Sequence, residues 1–198
     1  MADKNSVRNK NRLSGIVLLY FVGIVAGAIL YCFPPDGQAE RLETFAESFI
    51  SGRFDRRFAE ILVNSFSEPF AMLLICFLLG LSAVAHPAEY LVPVFHALGT
   101  GITFAGIYDL YGVEGVVMSA AMLIPGTVIS AFAVIIAVRE ALNMSSDVYS
   151  ASFGKISAAA KINFRLYFTK FVILCAMVVF SAFVESILIC LFADLWKV

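Results

Sequence analysis

Five stretches of this chain, 19 to 24 residues long, contain no Lys, Arg, Asp or Glu except for one acid inside the last. They cover residues 13–33, 69–88, 90–108, 115–138 and 171–193. A bilayer core of about 30 Å needs about 20 apolar residues at about 1.5 Å rise each. Within them apolar residues run continuously and do not alternate with polar ones, which favours helices over barrel strands. Composition agrees, with 61% hydrophobic and 15% charged residues and a mean hydropathy of +0.89. A soluble domain carries about 25% charged residues, so a soluble enzyme, a disordered tail and a disulfide scaffold are excluded. The formal charge is −1, which offers no basic face for a nucleic-acid partner.

The expected fold is all-α. It is a polytopic membrane helix bundle, one domain over residues 1–198, with five transmembrane helices and membrane lipid as a partner. The first stretch exceeds a signal h-region of about 7–15 residues, and the bulky Tyr31 before Cys32 argues against lipoprotein cleavage, so it is read as retained. Lys and Arg near the spans set orientation. Nine lie on the side of the N-terminus and of segment 139–170, against five on the other side. The N-terminus and residues 139–170 are therefore expected in the cytoplasm, and the C-terminus and residues 34–68 outside. The outer segment carries seven acids and four bases. Its Leu42, Phe45 and Phe49, and then Phe54, Phe58, Ile61 and Leu62, repeat at helical spacing. Ser51-Gly52 divides the two sets, predicting two short amphipathic helices that either pack on the bundle or offer Phe45, Phe49, Phe54 and Phe58 to an outer partner.

Few residues carry chemistry. H-E-x-x-H, G-x-S-x-G and P-loop patterns are absent, and no nucleophile-and-base pair stands out, so no enzyme is expected. Cys32, Cys76, Cys175 and Cys190 form no C-x-x-C pair and read as small buried hydrophobes, without disulfide, metal or cofactor. His86 and His96 read as structural. Glu185 is the informative residue, because an acid inside a span faces the bundle, pairs, or lines a polar path. Ser181, one turn earlier, and Ser186 are its expected solvating neighbours. Gly23-x-x-x-Gly27 is a small-residue face for packing within the bundle or for a homo-oligomer. Pro125-Gly126 lies mid-span in the fourth helix, where the missing N–H predicts a kink.

The glycine-rich FVGIVAGAIL, the run FAEILVNSFSEPFAMLLICFLLG and the stretch HPAEYLVPVFHALGTGITFAGIYDLYGVEG come in that order, followed by MLIPGTVISAF and SAFVESILI. In order and spacing the chain resembles the stage II sporulation protein M family from about residue 13 to 192. The resemblance implies a bacterial cytoplasmic-membrane protein without catalysis of its own. It would anchor peptidoglycan-degrading enzymes on the outer side during forespore engulfment or related envelope remodelling. The rival reading is a permease subunit working with a separate ATPase, on the strength of Glu185 and the Pro125-Gly126 break.

Overall fold

The computed structural model describes the backbone of residues 2–54, 57–153 and 163–192, and side chains within 12–49, 57–152 and 163–192. Six helices follow in order: α1 (Ala2–Cys32), α2 (Ala39–Phe54), α3 (Phe58–Gly80), α4 (His86–Met122), α5 (Ile124–Phe153) and α6 (Phe164–Phe192). No strand occurs among the described residues. Five helices are long and apolar enough to cross a membrane, namely α1 from Arg12, α3, α4, α5 up to Ser152, and α6. A helix satisfies its backbone internally, so a continuous apolar run in lipid has no cheaper conformation. Phe21, Val25, Leu78, Phe95, Phe132 and Ile173 are each more than half exposed, a surface that suits lipid and not water.

The ends of the helices differ from the charge-free runs in instructive ways. α3 starts at Phe58, eleven residues before Pro69, and carries that proline inside it. Ser51-Gly52 does not break α2, which continues to Phe54. One mid-helix glycine costs only about 1 kcal/mol, too little to end a helix by itself. The outer segment therefore holds one separate helix, not two, and Phe58, Ile61 and Leu62 belong to the first turns of a span. The connection between α3 and α4 lies at residues 81–85, not at Glu89, and Pro87 occupies the first turn of α4, where its missing N–H removes no bond.

Gly112 divides α4 into two legs. Its φ of 59° and ψ of −140° suit only a residue without Cβ. Beyond it the chain doubles back. A Cβ at Gly115 would lie 2.6 Å from the carbonyl of Ile107, and Met118 and Met122 share a buried cluster with Ile107. The fourth expected span is thus the second leg of α4 continued by α5, interrupted at Leu123 (φ −97°, ψ −42°). The interruption sits two residues before Pro125. Thr127 N–H still bonds Leu123 O at 2.9 Å, so the hydrogen-bond ladder carries across the interruption.

Pair contacts give the register. α1 runs parallel to the first leg of α4, with Tyr20 beside His96 and Tyr31 beside Asp109. α6 runs antiparallel to α3, with Ser65 at Glu185 and Phe77 at Tyr167. It is also antiparallel to α5, with Gly126 at Ser181 and Glu140 at Lys170. Val134, Ala137, Val138 and Ala141 of α5 are completely enclosed, so α5 forms the centre of the main core.

Candidate functional site

A small polar cavity lies inside the bundle beside Leu123. It measures about 30 Å³ and is bounded by α3, α4, α5 and α6, with Phe45 and Phe49 of α2 over one side. One or two waters would fill it. α3 contributes Ser65 and Glu68, α4 contributes His96, Thr100 and Thr103, α5 contributes Thr127 and Ser130, and α6 contributes Glu185.

Glu185 is only 4% exposed. Its Oε1 accepts a hydrogen bond from Ser65 Oγ at 3.0 Å, across 120 residues of sequence. Ser181 and Ser186 do not solvate the acid as expected. Ser181 donates to Gly126 O at 2.6 Å, and Ser186 donates to Ala182 O at 2.7 Å within its own helix. A helical serine finds a nearby carbonyl more readily than a side chain on its own helix. Gly126 sets how closely α5 meets the acid, since a Cβ there would fall 2.8 Å from Glu185 Cβ and 2.9 Å from Oε2. Gly126 therefore admits the carboxylate beside α5.

The other residues singled out in the sequence lie elsewhere. Gly23 and Gly27 face α4, where Gly23 sits on Ala97. A Cβ at Gly27 would run into Leu98 O, and one at Gly101 into Ile24 O. Phe45 is 46% exposed and Phe58 is 40% exposed. Phe49 packs on the cluster of Ile61, Ile107 and Met118, while the ring of Phe58 lies 6.2 Å from that of Phe183. The Phe54 side chain is outside the described residues. Phe45, Phe49 and Phe58 thus do not form one open stripe, because Phe45 and Phe49 turn over the cavity.

Two histidines hold helices together. Tyr20 Oη and His96 Nδ1 are 3.0 Å apart. His86 meets Ser145 Oγ and Ser146 Oγ at 3.0 and 3.1 Å, tying the start of α4 to α5. All four cysteines are free thiols. Among the described residues, no three His, Cys, Asp or Glu side chains gather closely enough to hold a metal ion.

Sequence reasoning missed two acids, Glu68 and Glu89. Each ended a charge-free run and was placed outside the membrane on that ground, yet each lies within an apolar helix. Glu68 lines the cavity. Glu89 is fully buried, and neither of its oxygens has a hydrogen-bond partner. The neighbouring Ser145 gives its proton to Ser82 O at 2.7 Å. The usable signal was helical phase, which carries the apolar faces of α3 and α4 straight through both acids.

A second hollow, of about 410 Å³, opens between α1, α2 and α4 and is lined by Tyr31, Glu43, Tyr108 and Asp109. Tyr31 Oη donates to Asp109 Oδ2 at 3.3 Å.

No curated protein and no solved structure matches the chain. The model of one family, described as stage II sporulation protein M, matches residues 16–188. That match reaches into all five candidate membrane helices and covers both legs of α4, and the chain belongs to the stage II sporulation protein M family.

Proposed function

We propose that this protein is a non-enzymatic membrane scaffold that holds peptidoglycan-degrading enzymes at the outer face of the bacterial cytoplasmic membrane. The observation that carries this reading is the family match over residues 16–188. The geometry supports it at α2, the one helix among the described residues that is not a candidate span. This helix lies between the end of α1 and the start of α3, leaves Phe45 46% exposed, and lines the hollow of Tyr31 and Asp109 with its Leu42 and Glu43. The Lys and Arg bias puts that end of the bundle outside.

Crosslinking in cells, pull-down of the tagged chain and mass spectrometry test the reading. Secreted or membrane-tethered peptidoglycan hydrolases are the expected partners. Alanine at Phe45 and Phe58 should cut their recovery while membrane insertion is unchanged. Recovery of a cytoplasmic ATPase without any hydrolase would overturn the scaffold. That result would favour the second reading, a permease subunit, which draws on the polar cavity at the interruption of the α4–α5 path, since bent helices line many transport sites.

A further inference from the structure

A chain of polar groups leads from the connection between α3 and α4 to Glu89. Ser145 Oγ donates to Ser82 O at 2.7 Å, so its one proton is committed. His86 Nδ1 lies 3.0 Å from the same Ser145 oxygen and therefore donates its N–H to it. In the neutral ring His86 Nε2 is then an acceptor for the Ser146 hydroxyl, 3.1 Å away. A hydroxyl has one proton and two lone pairs. Ser145 thus keeps one lone pair, and no proton, for the carboxyl of Glu89 beside it.

Glu89 is completely enclosed, and neither of its oxygens has a hydrogen-bond partner. The groups in electrostatic reach do not change that. Tyr167 of α6 spends its proton on Phe77 O at 3.0 Å. The buried thiol of Cys76 on α3 makes no hydrogen bond to the acid. Arg12 of α1 makes none either. On α5, Glu140 pairs with Lys170 of α6. Arg12 and the N-terminal dipole of α4 favour an anion, but a buried charge without one hydrogen bond costs more than a dipole returns. A neutral acid brings its own proton, and Ser145 has the lone pair to meet it. We propose that Glu89 is a proton-binding site, whose carboxyl is held as the neutral acid and exchanges its proton through Ser145 and His86. On loading, His86 Nδ1–H passes its proton to Ser145 Oγ, and the Ser145 hydroxyl proton turns from Ser82 O to Glu89. His86 Nε2 takes the Ser146 proton, and solvent restores Ser146. Release runs in reverse. The path emerges where Ser82 is exposed and His86 and Ser146 are half-buried. Proton binding does not require transport, so it stands apart from the choice between scaffold and permease.

Infrared spectroscopy of the full chain in nanodiscs at neutral pH tests the site. Subtracting Glu89→Gln from the unaltered chain should leave the C=O band of one protonated carboxyl and no carboxylate band. Glu89→Met gives the same subtraction if Glu89→Gln does not fold. In heavy water that band should shift as the proton exchanges. Ser145→Ala and His86→Phe should each slow the shift about tenfold or more, the effect of losing one hydrogen bond on the path. Ser67→Ala, exposed on α3, should leave the rate unchanged. If Ser145→Ala does not fold, His86→Phe decides. A difference spectrum without the protonated band would overturn the site, and an exchange rate that the relay variants leave unchanged would overturn the path.

Discussion

Glu89 and Glu185 are both buried acids in membrane-crossing helices, yet their surroundings differ. Glu185 has the Ser65 hydroxyl and a cavity beside it. Glu89 is packed without a hydrogen bond to either oxygen. An unsatisfied buried polar group costs about 1–3 kcal/mol, and filling its place with an apolar side chain of similar volume removes that cost. Glu89→Met should therefore raise the thermal midpoint, whereas Ser65→Ala should lower it by removing the Ser65 hydrogen bond to Glu185. Thermal unfolding of the purified variants checks both, and a destabilised Glu89→Met would mean that the carboxylate has a role the packing does not reveal. Glu185 stood out in the sequence because it interrupts an apolar run. Its partner did not, because Ser65 lies 120 residues away and no local rule connects them.

At the scale of the helix, close approach is the governing device. Lipid is as apolar as leucine, so helices in a membrane associate through backbone proximity and good packing more than by excluding water. α1 and the first leg of α4 meet where Gly27 faces Leu98 and Gly101 faces Ile24. Gly101→Val should destabilise the bundle by about 1–3 kcal/mol through overpacking. Gly15→Ala, with open space around it, should be neutral or mildly stabilising. Unfolding midpoints of the two variants, compared side by side, distinguish a packing glycine from an incidental one. The small-x-x-x-small face was legible in the sequence, but its partner was not, because the motif serves a homodimer and an internal contact equally well. Near Pro125 the structure shows an interruption of the helix at Leu123, two residues earlier, with the hydrogen bond from Thr127 to Leu123 kept. The limits of α2 and α3 were not legible. Absence of charge is a poor rule for a helix end where Glu60 and Glu68 ride on the same helix as the apolar run.

For the whole molecule, five candidate spans and the Lys and Arg bias predict a cytoplasmic N-terminus and an extracytoplasmic C-terminus. Reporters inserted after Gly37 and fused after Val198 should both report an extracytoplasmic location, and a cytoplasmic signal from either would reverse or break this topology. The sequence by itself determined that the chain is an all-helical membrane protein with five candidate spans, because length and hydropathy along a helix are local properties and lipid permits no alternative for the backbone. Its motifs also pointed to the right family. Only the tertiary structure decided what faces what. It set Ser65 against Glu185, turned Phe45 and Phe49 over the cavity, folded the second leg of α4 back at Gly112, brought Glu68 to the cavity and enclosed Glu89. A cavity is made by side chains from four helices meeting across long separations, and their mutual rotation is fixed by packing that no single stretch of sequence contains.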